Sequence, residues 1–352
     1  MIDVINNLYK HIGRPVNFME VCGTHTVAIF RHGIRSLLPE GLRLLSGPGC
    51  PVCVTSIMDI DTAIAIARKG DAILTTFGDM MRVPGGKQSL MEVRAEGADI
   101  RIVYSPLDSL KIAKENTDKK VIFFSAGFET TAPSTAATVS EAERLGIPNF
   151  YLYSVHKVVP SALEVLLVSD DVRIDGFILP GHVSTIIGTK PYKFIPEKYL
   201  IPCAVTGFEA NDILGGIAIL LKQIIEGKVS VEVEYKTVVR EEGNPKAMQF
   251  MDEIFEPCDS YWRGIGTIPG SGLKLRDKWA HRDAEKIYEL EVPQVEEPKG
   301  CMCGLVLRGI KMPSECPLFA RVCNPDKPVG ACMVSSEGSC AAYYRYRAVL
   351  EG

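Results

Sequence analysis

The stretch VIFFSAGFETTAPSTAATVSEAERLGIPNFYLYSVH, residues 121–156, decides the fold. It opens on a short, apolar, β-prone run, VIFFSAGF. Ala132–Leu145 then has the periodicity of a helix, and NFYLYSV (149–155) is a second β-rich run. Strand, helix and strand in this order make a βαβ unit, and such units build parallel sheets covered by helices.

The same alternation extends outward to fill residues 17 to about 225. Upstream lie the runs NFMEVC (17–22), LRLLSGPG (42–49), AILTTFGD (72–79) and IRIVYS (100–105). Downstream lie GFILPGH (176–182) and CAVTGF (203–208). Helix-like stretches separate them, among them Ser56–Lys69, Gln88–Gly97 and Ser161–Val168. Eight runs suit one large sheet or two smaller ones, and the polar residues Asp118–Lys120 are the break chosen between two halves. Past residue 226 the pattern changes. Val229–Arg240 alternates like an exposed strand, Gly264–Gly272 reads as a glycine-rich loop, and Glu289–Lys299 is an acidic, proline-containing connector to a cysteine-rich tail.

Of the 352 residues, 46% are apolar and 23% charged, as in ordinary soluble domains. A net charge of −4 gives no electrostatic reason to expect nucleic acid or an anionic membrane as partner. The opening MIDVINNLYKHIG has polar residues throughout and lacks the apolar core of an export signal. Ile213–Leu221, the longest apolar stretch, is broken at Lys222 and falls short of the roughly 20 residues a membrane helix needs. It reads as a buried helix, and the expected location is the cytoplasm.

Eleven cysteines in such a chain point to metal binding or redox chemistry rather than a disulfide framework. Cys203 and Cys258 stand alone and read as core packing. Cys22, in MEVCGTHT, follows a strand and precedes a helix. Helix-end amides there favour a thiolate, which is both a nucleophile and a soft metal ligand. His25, three residues on, is a candidate second ligand or proton carrier; the alternative is a buried cysteine with a capping histidine. Cys50 and Cys53, in SGPGCPVCVT, have the spacing of a redox dithiol at a helix start, and half of a zinc site is the rival reading. The tail holds Cys301, Cys303, Cys316, Cys323, Cys332 and Cys340, enough for an iron–sulfur cluster or a zinc ion. In an extended segment Cys301 and Cys303 point opposite ways, so only one of them is expected to be a ligand.

Ligands of open α/β sheets bind beyond the carboxyl ends of the strands. Asp79, Glu129, Thr130, Thr131, His156, His182, Glu209 and Asp212 all sit at such ends and are candidates to line a cleft, each with a role as helix cap or loop anchor as its alternative.

MEVCGTHT, SGPGCPVCVT, FGDMMRVPGG, GFETTAP, LPGHVSTIIG, TGFEANDIL and VSSEGSCAAYYRY, in this order from residue 18 to 346, resemble the motif set of the HypD family of hydrogenase-maturation proteins. The resemblance implies an α/β fold with two parallel-sheet α/β domains forming a cleft, plus a smaller cysteine-rich iron–sulfur domain. The corresponding expected divisions are 1–120, 121–226 and 227–352. It further implies a scaffold and redox protein for assembling the Fe(CN)2CO part of [NiFe]-hydrogenase, with iron held near Cys22 and Cys50/Cys53 as the redox pair. The family's cysteine spacing assigns a [4Fe–4S] cluster to Cys303, Cys316, Cys323 and Cys340, leaving Cys301 and Cys332 over. His25, Glu129 and His182 are the groups expected around the iron. The implied partners are a HypC-type small chaperone and a HypE-type cyanide donor. A cluster-dependent disulfide oxidoreductase acting on a thioredoxin-like client is the alternative.

Overall fold

The computed structural model of the protein describes residues 1–351 apart from 170, 172, 289, 291 and 294, and for 347–351 the helical backbone alone. All eight expected runs are strands: β1 (Val16–Glu20), β2 (Leu42–Ser46), β3 (Ala72–Thr76), β4 (Ile100–Ile102), β5 (Lys120–Ser125), β6 (Phe150–Ser154), β7 (Gly176–Pro180) and β8 (Cys203–Thr206). Every pairing among them is parallel. β3, β7 and β8 are buried along their whole length, which explains their unbroken apolar character.

The strands form two sheets that do not follow chain order. One is β4-β3-β5-β6; the other is β2-β1-β7-β8-β9, with β9 at Val231–Val233. The expected division at 120/121 is therefore corrected. It cuts the four-stranded sheet, where β3 pairs with β5 from Ala72↔Lys120 to Thr76↔Phe124. The polar residues near 118 make an ordinary surface turn into β5, closed by the Lys119 N–H donating to the Asn116 carbonyl at 3.2 Å. Strand pairing instead groups 16–46 with 176–233, and 72–154 by itself.

The boundary at 227 is corrected too. β9 completes the five-stranded sheet through β8. It is shorter than the expected Val229–Arg240 because the chain turns away after Val233, with the Val239 N–H donating to the Tyr235 carbonyl at 3.2 Å. Helix Pro245–Ile254 packs on helix Ala132–Arg144. β10 (Phe255–Trp262) and β11 (Gly266–Leu275) form an antiparallel hairpin, so most of the expected glycine-rich loop is strand. The hairpin is tied to the end of β6 by the Val158 N–H donating to the Ser271 carbonyl at 2.9 Å. The described residues of the connector Glu289–Lys299 carry neither helix nor strand, and 289, 291 and 294 lie outside the described residues.

The expected helices form at Ile57–Ala67, Leu90–Ala95, Ala132–Arg144 and Val159–Leu167. Ser56 and Ser89 start the first two with reciprocal capping boxes. The stretch read as a buried helix lies within Ala210–Glu226, which packs against β8 and β7. No helix among the described residues is long and apolar enough to cross a membrane.

Candidate functional site

The carboxyl ends of β1, β2 and β7 face that of β5 across a cleft of about 520 Å³. Its walls include Cys22, Thr24, Gly49, Pro51, Thr131, His182 and, from the tail, Glu337. The two sheets thus meet where open α/β folds bind ligands. A Cβ on Gly49 would stand 2.2 Å from the Cys22 backbone nitrogen, so glycine there lets the CxxC segment lie directly on the end of β1.

β1 delivers Cys22 to the cap position of helix Gly23–Arg31. The N–H groups of Thr24 and His25 and the Thr24 hydroxyl favour the thiolate there, as expected of a helix end. None is close enough to count as a formed cap bond. Burial and the Glu337 carboxylate outweigh them and push the thiol up to about 12. Against the expectation of a favoured thiolate, the surroundings of Cys22 favour its protonated form.

His25 does not line the cleft. Its ring is fully buried, stacked at 4.6 Å on Phe208, whose ring also meets His182 at 4.0 Å. Nε2 lies 2.9 Å from both the Gly207 carbonyl and the Thr206 hydroxyl. Because a carbonyl only accepts, Nε2 carries the proton. Nδ1 has no hydrogen-bond partner among the described residues. Burial lowers the imidazole from 6.5 to about 4. An unfolded chain therefore takes up this proton near pH 6.5 and the folded one only near 4. The His25 contribution to stability must fall as pH drops through that window, by roughly 3 kcal/mol. Urea unfolding of the wild type and of His25→Gln should show their stability difference shrinking by that order from pH 7 to 4. A difference independent of pH would mean that His25 is not held neutral.

Glu129 sits one layer behind the cleft, with Oε1 accepting the Val159 N–H at 2.9 Å and Oε2 unpartnered among the described residues. Burial raises its carboxyl to about 7. His182 is exposed on the cleft wall. His156 is buried within hydrogen-bond reach of Ser125 and Thr131, and Asp212 caps its helix by accepting the Glu209 N–H.

Two carboxylates beside Cys22 escaped sequence reasoning. Glu20 is fully buried; its Oε1 accepts the Thr26 hydroxyl at 2.5 Å and its Oε2 the Cys22 N–H at 3.3 Å. An acid closing a strand that is otherwise mostly apolar, directly before Val21 and Cys22, was the available signal. Glu337 accepts the Thr24 hydroxyl at 2.8 Å. It lies in the quoted motif VSSEGSCAAYYRY (334–346), but nothing there marks it as a neighbour of Cys22.

Cys50 caps the four-residue helix Pro51–Val54, and its sulfur accepts the Cys53 N–H at 3.3 Å. Both thiols are buried, at 3% and 0% exposure. Cys53 is in hydrogen-bond contact with Cys332, which in turn contacts Cys303 and Cys340. Cys303 Sγ lies 2.6 Å from Cys332 Sγ. All six tail cysteines line one small cavity. The inner side of the CxxC motif thus faces the tail, and Cys303, assigned to a cluster by spacing, is already engaged by a residue that spacing left over. Among the described residues no three His, Cys, Asp or Glu side chains converge on one point as a single metal ion requires. Cys203 is core, as expected, while Cys258 is half-buried on β10.

Residues 1–347 match the model of the family described as HypD, Hydrogenase formation hypA family. The chain is similar to a putative hydrogenase expression/formation protein of Methanocaldococcus jannaschii, with 47% identity covering 99% of this chain and 96% of the relative. It is similar to the hydrogenase maturation factor HypD of Escherichia coli, with 47% identity covering 95% and 90%. The HypD of Azotobacter vinelandii is 46% identical over the same shares, 95% and 90%.

Proposed function

Because this chain belongs to the HypD family of hydrogenase maturation factors, we propose that it is the scaffold and redox protein on which the Fe(CN)2CO unit of [NiFe]-hydrogenase is assembled. The iron is cargo, held by Cys22 in the cleft and shared with a HypC-type chaperone, while a HypE-type donor brings cyanide as a thiocyanate on its own cysteine. The work is cytoplasmic. One observation carries the proposal: the CxxC segment lines the cleft beside Cys22 on one side and touches the tail cysteines on the other.

What supports a bound [4Fe–4S] cluster is that all six tail cysteines line one cavity, and such a cluster takes four thiolates. Cys301, Cys316, Cys323 and Cys340 would hold it. Cys301 replaces the Cys303 of the spacing rule, since Cys303 is taken up by Cys332 at 2.6 Å. When bound, the cluster supplies electrons singly.

Cyanide release needs a pair of electrons, which a dithiol stores. A thiocyanate plus the Cys50 and Cys53 thiols gives the donor's free thiol, hydrogen cyanide and the Cys50–Cys53 disulfide. Both protons and both electrons come from the dithiol. The disulfide is then reduced by exchange with the Cys303 and Cys332 thiols, which the Cys53–Cys332 contact makes direct.

Infrared spectroscopy of the chain purified anaerobically with its small partner tests the proposal. Cyanide and carbonyl stretches are expected; an iron-loaded complex without them overturns the cargo role.

A further inference from the structure

The motif FGDMMRVPGG and the residue Glu337 have no place in the chemistry above, and they meet in one turn. Ser335 donates its hydroxyl to Asp79 Oδ2 at 3.2 Å, and the Glu337 N–H donates to Ser335 Oγ at 3.2 Å. The Gly338 N–H closes the turn onto the Ser335 carbonyl at 3.0 Å. Both ends of the turn are wedged. A Cβ on Gly338 would lie 2.1 Å from the Cys332 carbonyl oxygen. A Cβ on Gly23, at the start of the Cys22 helix, would lie 2.5 Å from both Cβ and the carbonyl oxygen of Glu337. The Thr24–Glu337 hydrogen bond at 2.8 Å completes the contact with that helix.

The segment Cys332–Cys340 therefore starts at a thiol touching Cys303 and Cys53, passes through the cleft at Glu337, and ends at a cavity cysteine. With no space for a methyl group at either wedge, displacement at Cys332 has no slack in which to dissipate.

We propose that Glu337 is a positioning residue of the Cys22 site, and that the turn carrying it makes the cleft respond to the thiol state of Cys303 and Cys332. The inference rests on the redox reading above and adds a coupling to it. In the step concerned, the Cys50–Cys53 disulfide and the two thiols of Cys303 and Cys332 become two thiols at Cys50 and Cys53 and a Cys303–Cys332 disulfide. Two electrons and two protons pass between the pairs, with no outside oxidant. Joining Cys303 to Cys332 fixes their separation, shifts the Cys332 backbone and moves Glu337 against Thr24. Asp79 anchors the far side of the turn, so the motion is directed at the Cys22 helix.

The test uses the full chain in dithiothreitol buffers poised at several potentials, at one pH. Cys22 alkylation by iodoacetamide is followed by peptide mass spectrometry, and thiol trapping in the same digests reports the state of every other cysteine. Oxidation of the Cys303–Cys332 pair should change the Cys22 rate by about fivefold or more, as expected when a thiol's surroundings are rearranged. Thr24→Val, which removes the hydrogen bond at almost constant volume, should reduce that ratio to near one. Glu337→Gln keeps an acceptor for Thr24 and should retain the ratio while altering the absolute rate. A merely structural role would change both poises equally and leave the ratio intact. An unchanged Cys22 rate while trapping shows Cys303 and Cys332 oxidised overturns the coupling alone. The same follows if Thr24→Val keeps the wild-type ratio. If Cys303 and Cys332 stay reduced at every potential, the redox reading fails and the coupling falls with it.

Discussion

Replacing Cys22 with Ala should remove the cyanide and carbonyl infrared bands from the partner complex and stop hydrogenase maturation, while leaving the fold and the tail cofactor in place. The fold is expected to survive because the Cys22 side chain makes no formed cap bond. The backbone around it is held instead by the Glu20 carboxylate and by the Gly23 N–H donating to the Gly49 carbonyl at 3.1 Å. The cargo is expected to be lost because, among the described residues, Cys22 is the one cysteine lining the cleft, and low-spin iron with cyanide and carbonyl suits a soft thiolate. Cys22→Ser should fail as well, since a serine hydroxyl remains protonated at neutral pH. Bands of wild-type intensity in the Cys22→Ala complex would mean that the iron is held elsewhere.

The second large effect concerns the tail. Cys316→Ala or Cys340→Ala should abolish brown colour and about four irons per chain, the complement of one [4Fe–4S] cluster. The deciding pair is Cys301 and Cys303. Both line the cavity, but Cys303 begins the helix Cys303–Leu307 with its sulfur against Cys332. Cys301→Ala should therefore lose iron, whereas Cys303→Ala and Cys332→Ala should retain it and fail in reducing Cys50–Cys53. Iron lost from Cys303→Ala and kept in Cys301→Ala would restore the ligand set that spacing alone suggests.

The eight strands and their helices were legible because burial imposes a local pattern, as in VIFFS and GFILP. The gathering of Cys22, Thr131 and His182 on one cleft followed from a general property of parallel sheets. What the sequence hid was non-local. Nothing near Asp118 says that β3 will pair with β5, because neighbour choice depends on strand order in space. His25 has the chemistry of a ligand, yet its ring turns inward to hold the Gly207 carbonyl, and side-chain direction has no signature in a motif. The helix end at Cys22 was read correctly, but its effect on the thiol depends on burial and on Glu337, more than 300 positions away. The 2.6 Å contact between Cys303 and Cys332 closes a loop whose geometry spacing does not encode.

The five-stranded sheet joins residues 16–46 to residues 176–233, with the other sheet contained in the chain between them. During synthesis, β1 and β2 can pair early, but the inner edge of β1 has no partner until β7 emerges. At roughly 5–20 residues per second, the stretch from Glu20 to Gly176 holds that edge open for on the order of ten seconds. An exposed, apolar strand edge is a template for association with other chains. β3 to β6, by contrast, are consecutive and can close their sheet while the ribosome is still producing the rest. The nascent protein therefore carries a finished middle and an unfinished beginning, and its yield in cells should depend on whatever shields β1 during that interval.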